Sequence, residues 1–232
     1  VELCESLRVS SVTIRKDLQF LEDSRLLFRT HGGATRHNPY QTDRPVNEKE
    51  KIHEAEKIEI AKVASSLVNE NDSIIIGSGT TTQFLAREIM PQGNITVVTS
   101  ALNVTLELLK HKNVDVIQLG GLVRHTSSSV VGQYADGILD NFFCSKLFLG
   151  VDGVDLEYGI STTSAQEAML NQKMIAVAQK VIVLADSSKF GRKSFGKIAD
   201  FSRIDTIISD DIPKDYLTHF DTLGIETIVC GK

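Results

Sequence analysis

The chain has 232 residues, 41% of them hydrophobic, and its 25 Lys and Arg against 30 Asp and Glu give a formal net charge of −5. This length accommodates one large and one small globular domain. No apolar run approaches the roughly 20 residues that span a bilayer, and the three cysteines (Cys4, Cys144 and Cys230) are odd in number and widely spaced. We therefore expect a cytoplasmic protein with reduced thiols and without a membrane segment, a metal site or a cofactor.

The start of the chain has the pattern of two short helices joined by a tight turn. Residues 1–9 supply the first helix and the turn; Ser10 is a favourable N-cap for the second, in which Ile14, Leu18 and Leu21 recur at helical spacing. This arrangement predicts a helix-turn-helix. The opposite face, expected to reach phosphates and base edges, carries Ser11, Thr13, Arg15, Lys16 and Gln19. The alternative is a solvated helix face without a DNA partner.

A small β-wing is predicted next to this helix. Residues 26–30 have strand character, and the Gly-rich residues 31–34 are a turn signal that would close a hairpin. Arg29 and His31 on such a wing would contact backbone phosphates of double-stranded DNA.

The charge of this N-terminal segment is small. Residues 1–37 contain six Lys or Arg and five Asp or Glu, so they carry +1 and the remaining 195 residues carry −6. Because neutralisation of phosphates dominates affinity for DNA, one such module binds weakly by itself. Specific binding would need several copies, which predicts a homo-oligomer, a dimer or a tetramer.

The run VSSVTIRKDLQFLEDSRLLFRTHGGA, residues 9–34, resembles the signature of the DeoR family of bacterial transcriptional regulators. Lys16 stands where the family usually has a second arginine, and Ser24-Arg25 replaces a residue-Gly turn. The resemblance implies a winged helix-turn-helix that binds an operator in double-stranded DNA. The family's first helix would precede Val1, so we expect this module to be incomplete at its start.

A change of composition marks the predicted domain boundary. Residues 1–37 are the expected DNA-binding domain, residues 38–47, with two prolines and no periodicity, the linker, and residues 48–232 a second domain. We expect the second domain to open with one helix over residues 48–68, either a coupling helix or a surface helix packed on that domain. The expected apolar stripe of this helix is Ile52, Ala55, Ile58, Val63, Ala64 and Leu67.

Short β-branched runs alternate with helical patterns through the rest of the chain. Such runs predict an α/β fold with a mainly parallel sheet covered on both faces, whose ligands bind beyond the carboxyl ends of the strands. The predicted strands are 73–76, 95–98, 114–117, 147–149, 181–184, 206–208 and 226–229, and helical patterns include 81–89, 102–110 and 165–179.

A Gly- and Thr-rich turn follows the first of these strands and opens a helix. It consists of Gly77, Ser78, Gly79, Thr80, Thr81 and Thr82. Backbone N–H groups, threonine hydroxyls and the positive end of a helix dipole are suited to an anion such as phosphate. The turn is neither a Walker loop nor a dinucleotide fingerprint. The alternative is a tight connection without a ligand.

Other turns at the same sheet edge add donors for a phosphate and carboxylates for sugar hydroxyls. These candidate effector-binding residues are Ser100, Gly121, Arg124, Asp152, Glu167 and Lys189. The combination fits a phosphorylated polyol.

The motifs GSGTTT, VVTSALN, LGGLVR, FLGVDGVD, GISTTSAQEA and LADSSKFGRKSF resemble the effector domain of the DeoR family, which is similar to ribose-5-phosphate isomerase and glucosamine-6-phosphate deaminase. The resemblance implies the fold of the isomerase, its phosphate loop at residues 77–82, and its acidic sugar-site positions at Asp152 and Glu167. The isomerase's other aspartate falls on Leu149, and its lysine-bearing turn on residues 158–161. Binding without turnover is therefore expected.

The sequence thus predicts a DNA-binding repressor of carbohydrate catabolism genes that is controlled by a phosphorylated sugar. One alternative is an isomerase- or deaminase-like enzyme acting on sugar phosphates. Another is a plain oligomerisation domain whose pocket binds nothing.

Overall fold

A computed structural model of the chain describes residues 2–24, 26–30, 33–35 and 45–231, and the chain divides into two compact units, residues 1–42 and 43–232. His31 and most of the predicted linker, residues 38–44, lie outside the described residues. The exact limits of the predicted domains therefore stay a prediction.

The N-terminal unit contains a helix-turn-helix and a two-stranded hairpin. Its elements are α1 (Glu2–Leu7), α2 (Ser11–Asp23), β1 (Phe28–Thr30) and β2 (Gly33–Thr35). Ser10 is extended and its Oγ accepts a hydrogen bond from the backbone N–H of Thr13 at 3.1 Å, which satisfies a donor that the first turn of α2 leaves unpaired. The hairpin strands are antiparallel, with Phe28 opposite Thr35. The predicted helix-turn-helix and wing are confirmed in the described residues.

The C-terminal unit alternates strands and helices over most of its length. Its helices are α3 (Val46–Glu50), α4 (Glu54–Ser65), α5 (Thr80–Glu88), α6 (Leu102–Leu108), α7 (Gln133–Leu139), α8 (Ala165–Ala176) and α9 (Lys214–Leu223). Its strands are β3 (Ser73–Ile76), β4 (Ile95–Thr99), β5 (Val114–Gln118), β6 (Leu122–Arg124), β7 (Ser129–Val131), β8 (Cys144–Gly150), β9 (Gly153–Asp155), β10 (Gly159–Thr162), β11 (Ala178–Leu184), β12 (Gly196–Ala199), β13 (Thr206–Ser209) and β14 (Glu226–Val229). Two short 3₁₀ turns lie at Ser187–Lys189 and Phe201–Arg203.

Seven strands form one sheet in the order β14-β13-β11-β8-β3-β4-β5, and every neighbouring pair is parallel. They are the seven strands that the sequence predicts. Along β8, Leu147 and Leu149 belong to one buried cluster and Phe148 to another, so successive side chains enter cores on opposite faces. The predicted parallel sheet with both faces covered is confirmed.

Two small antiparallel sheets were not predicted. The hairpin β6–β7 and the three-stranded sheet β12-β10-β9 consist of strands of three or four residues. So short a run shows no periodicity that distinguishes a strand from a turn, and its pairing depends on partners far along the chain. In the second sheet Gly159 has a φ of +83°, and a Cβ there would lie 2.2 Å from the carbonyl oxygen of Ala199, so only glycine fits.

The prediction of a single helix over residues 48–68 is wrong. The chain instead forms α3 and α4, separated by residues 51–53, with His53 in the left-handed region at φ 53° and ψ 44°. The break rotates the helical phase, so Ile52 and Ala55 of the expected stripe are exposed. The residues of α4 that are buried are Lys57, Ile60, Ala61 and Ala64. The other residues of the expected stripe do face the core, because Ala64 is buried and Ile58, Val63 and Leu67 are partly buried against it. The Lys57 amine is buried as well and donates hydrogen bonds to backbone carbonyl oxygens at the break.

Candidate functional site

Four neighbouring strands of the large sheet end at one edge, and the segments that follow them carry most of the candidate residues. Turn 77–79 follows β3, Ser100 follows β4, Asp152 follows β8, and Asp186 to Lys189 follow β11. Because these strands are parallel and adjacent, their carboxyl ends lie together, the usual place for a ligand in such sheets.

The glycine-rich turn lies directly against the end of β8. The backbone N–H of Gly77 donates to the carbonyl oxygen of Phe148 at 2.9 Å, and a Cβ on Gly150 would lie 3.4 Å from the oxygen of Ser78. Gly79, at φ 138°, is the N-cap of α5, so the positive end of that nine-residue helix begins at this turn. The turn therefore lies beside Gly150, which precedes Asp152 by two positions in the chain.

The three threonines of this turn are buried, and they are not equivalent. The hydroxyl of Thr82 donates to the carbonyl oxygen of Gly79 at 2.9 Å, and its side chain is fully buried. This hydroxyl therefore stabilises the first turn of α5. Thr80 and Thr81 are slightly more accessible and begin the helix.

Asp152 and Glu167 converge on one hydroxyl. The Oγ1 of Thr162, at the end of β10, lies 3.0 Å from Oδ2 of Asp152 and 3.5 Å from Oε2 of Glu167. Asp152 also accepts a hydrogen bond from the backbone N–H of Thr163 at 3.2 Å. The structure therefore brings together two carboxylates that are 15 positions apart in the sequence.

Cations flank both carboxylates. Nη1 of Arg124 forms an ion pair with Oε1 of Glu167 at 2.9 Å, while Oγ of Ser129 donates to the same oxygen at 3.1 Å. Nζ of Lys49 lies 3.0 Å from Oδ1 of Asp152. Each carboxylate of the pair thus has a cationic partner from a different element.

Lys189 belongs to a second group that adjoins the first. Its Nζ lies 3.6 Å from Oδ2 of Asp186, which is buried, and Asp186 also accepts a hydrogen bond from the backbone N–H of Ser188 at 3.1 Å. The side chain of Lys57, only 3% exposed, lies close enough to Lys189 and Asp186 to interact with both electrostatically.

These contacts determine the charge states of the group. Burial by itself would raise the pKa of Asp152, but the ammonium groups of Lys49 and Lys189 and the N–H of Thr163 bring that pKa below its ordinary value. The pKa of Asp186 is lowered in the same way against burial, chiefly by Lys189. Burial, only partly opposed by Asp186, lowers the pKa of Lys57. Asp152 and Asp186 are therefore ionised at neutral pH.

Two of the expected effector residues have evident structural roles. Gly121 has a φ of +149°, and a Cβ there would lie 2.8 Å from the carbonyl oxygen of Val131, so glycine is required for the approach of β6 to β7. Ser100 is buried, and its carbonyl oxygen accepts a hydrogen bond from the N–H of Val130. A direct contact of either residue with an effector stays a prediction.

Sequence reasoning missed several residues of this group. They are Lys49, Lys57, Ser129, Thr162 and Thr163. Thr162 and Thr163 belong to the motif GISTTSAQEA, and their place in that motif could have identified them as site residues. Nothing in the local pattern around Lys49 distinguishes it from the other charged residues of its helix.

The described part of the N-terminal unit presents the expected polar face of α2. Ile14, Leu18 and Leu21 are partly buried, as the helical spacing predicts. All five candidate side chains of this helix are exposed: Ser11, Thr13, Arg15, Lys16 and Gln19. Arg29 lies in β1, and its side chain, like the whole of His31, lies outside what the structure describes.

Within the described residues, no three His, Cys, Asp or Glu side chains are placed to hold a metal ion. Cys144 and Cys230 are buried, and burial raises the pKa of Cys230 to about 11. None of the described helices is both long and apolar enough to cross a bilayer.

Two family models match the chain. The DeoR-like helix-turn-helix domain matches residues 1–39, and the DeoR C terminal sensor domain matches residues 52–211. One match lies in each of the two units of the structure.

Relatives align over almost the whole chain. A protein of Escherichia coli O157:H7 that is named as an aga operon transcriptional repressor is 40% identical over 227 residues, which are 97% of this chain and 84% of that protein. The lactose phosphotransferase system repressor of Streptococcus mutans is 34% identical over 90% of this chain and 84% of its own length. Among solved structures, a ribose 5-phosphate isomerase A from Methanocaldococcus jannaschii aligns with 61% of this chain and 56% of its own, at 17% identity and a TM-score of 0.44. The chain belongs to the DeoR family of transcriptional regulators, with a helix-turn-helix domain followed by a sensor domain.

Proposed function

We propose that this regulator is a cytoplasmic repressor of carbohydrate catabolism genes and that a phosphorylated sugar binds at the carboxyl edge of its large sheet. The observation that carries the proposal is the shared contact of Asp152 and Glu167 with Thr162, next to turn 77–79. Carboxylates accept hydrogen bonds from sugar hydroxyls, and a helix N-terminus with backbone donors holds a phosphate. The names of the relatives, one of them the repressor of a lactose phosphotransferase system, support a carbohydrate signal.

The proposed regulation acts through oligomers. The small net charge of residues 1–37 favours two or more DNA-binding modules acting together. Bound effector would favour one arrangement of the sensor units and thereby change the spacing of the modules through the linker, residues 38–47. A ligand shifts such an equilibrium only by its difference in affinity for the two states.

The effector is expected to be recognised by its phosphate. We expect ribose 5-phosphate, glucose 6-phosphate or fructose 6-phosphate to raise the melting temperature, by about 5–10 °C at 100 times Kd for a chain of this size. Free ribose, glucose and fructose should have no effect, because turn 77–79 and Lys189 gain most from a dianion. Thermal denaturation with each compound measures this.

Two lysines of one loop provide the matched pair of variants. Lys189→Met should abolish the shift, whereas Lys193→Met should retain it, because the Lys193 ammonium pairs with Asp155 and Glu157 outside the site. Equal shifts from free and phosphorylated sugars would mean that turn 77–79 is only a tight connection, and the phosphate site would have to be abandoned.

Binding without turnover is also proposed. A general base works best with a pKa near the operating pH, whereas Lys49 and Lys189 hold the pKa of Asp152 below that of an ordinary carboxyl. Leu149, where the isomerase has an aspartate, is fully buried in the core. We expect no isomerised or deaminated product when the protein is incubated with these phosphates, assayed by NMR. Turnover that Asp152→Asn or Glu167→Gln abolishes would establish the enzyme alternative instead.

A further inference from the structure

The first helix of the sensor unit is attached to the candidate effector site. Helix α3 begins at Val46, directly after the segment that leads from the helix-turn-helix domain. Val46 is buried, and its N–H donates to the carbonyl oxygen of Thr126 at 2.7 Å. At the other end of α3, Glu50 pairs with Arg87 of α5 at 2.8 Å. Between these two anchors, Lys49 reaches Asp152.

The Lys49–Asp152 pair differs from the two anchors because one partner is a candidate ligand for the effector. The side chains of Lys49 and Asp152 are 29% and 22% exposed, and partly solvated ion pairs contribute little stability. Oδ2 of Asp152 keeps its hydrogen bonds from Thr162 and Thr163, so the carboxylate stays in place when Lys49 leaves. A sugar hydroxyl donating to Oδ1 would occupy the position of the ammonium group.

The helical conformation is interrupted between α3 and α4. His53 has a left-handed backbone conformation, and the buried Lys57 amine donates hydrogen bonds to the carbonyl oxygens of Lys49, at 2.6 Å, and of Ile52. Helix α4 is therefore anchored independently of the Lys49 side chain. A change at Lys49 would affect α3 and the chain before it, and would leave α4 in place.

We propose that Lys49 is a latch that couples effector occupancy to the segment leading to the DNA-binding domain. Without effector, the ammonium group of Lys49 pairs with Asp152 and restrains α3 in addition to the anchors at its two ends. A polyol that hydrogen-bonds Asp152 displaces the ammonium group and removes that restraint. The ligand part of this mechanism rests on the proposed function, while the latch itself is a property of the unliganded chain. Because ammonium and ligand compete for one carboxylate, removal of Lys49 should favour the ligand.

The first test needs no ligand. Hydrogen exchange of the full-length protein should show residues 46–50 exchanging about two- to fivefold faster in Lys49→Ala than in the wild type, because their opening no longer breaks the ion pair. Asp152→Asn should have the same effect, and the double variant should add nothing to it. Lys51→Ala, which removes an exposed ammonium two residues away, should behave as the wild type. Unchanged exchange of residues 46–50 in Lys49→Ala and Asp152→Asn would overturn the latch.

The second test distinguishes a latch from a direct ligand contact. Titration with ribose 5-phosphate, glucose 6-phosphate and fructose 6-phosphate should give a Kd that is about two- to fivefold lower in Lys49→Ala than in the wild type. A higher Kd in this variant would show that Lys49 binds the ligand, and the latch would be wrong. If none of the three compounds binds the wild type, the proposed function fails, while the exchange measurement still decides whether the latch exists.

Discussion

Alanine in place of Arg15 is expected to weaken operator binding by the full-length protein by about 1–3 kcal/mol, which is about 5- to 150-fold in Kd. Arg15 is exposed on the polar face of α2, within the first two turns after the Ser10 cap, the part of a recognition helix that contacts base edges. A guanidinium group there can donate two hydrogen bonds to a guanine, and alanine makes neither. Titration of duplexes selected from a random pool measures the loss.

Variants of Lys16 and of a distant lysine distinguish contacts to bases from contacts to phosphates. Lys16→Ala should weaken binding to all duplexes about equally and reduce the slope of log K against log salt by about 1, because one phosphate contact is lost. Lys112→Ala, an exposed site in the sensor unit, should leave operator affinity unchanged. Unaltered affinity in both Arg15→Ala and Lys16→Ala would remove α2 from the interface with DNA.

Phe148→Ala is expected to lower the free energy of unfolding of the sensor unit by about 3–5 kcal/mol. Phe148 is fully buried in the central strand β8, between Ile76 of β3 and Ile182 of β11. Its removal takes away apolar contacts and leaves a cavity that a parallel sheet with both faces covered relaxes only partly. Urea denaturation monitored by circular dichroism measures the change.

Phe143 provides the matched control for this prediction. It lies five residues earlier in the same segment, and it is 74% exposed. Phe143→Ala removes the same atoms from a position that is not in the core, and we expect a change within about 0.5 kcal/mol. A similar loss of stability in both variants would contradict the assignment of β8 as the centre of the core.

The spacing of apolar residues predicted the helices and strands whose formation depends on residues close together in the sequence. The seven central strands were predictable because short apolar runs, many of them β-branched, mark strands that are buried on both faces, and Ile74 to Ile76 of β3 are an example. Helix α2 was predictable because its cap at Ser10 and its apolar spacing lie within one segment. The helix expected over residues 48–68 breaks at residues 51–53, where His53 is left-handed and the buried amine of Lys57 bonds the carbonyl oxygens of Lys49 and Ile52. Periodicity gives no sign of such a break, because it assumes that charged side chains face water.

The sequence by itself determined the second helix of the helix-turn-helix, the order of the sheet's strands and helices along the chain, and the glycine-rich turn at the end of β3. Only the tertiary structure decided which residues meet at that edge. Lys49 and Asp152 are 103 positions apart. Thr162 joins Asp152 to Glu167 only because the end of β10 lies beside the residues that follow β8, where the N–H of Asp152 donates to the carbonyl oxygen of Ser161 at 2.9 Å. Local patterns reflect the geometry of one helix or strand, whereas a contact over such a distance depends on how the whole sheet places its edges.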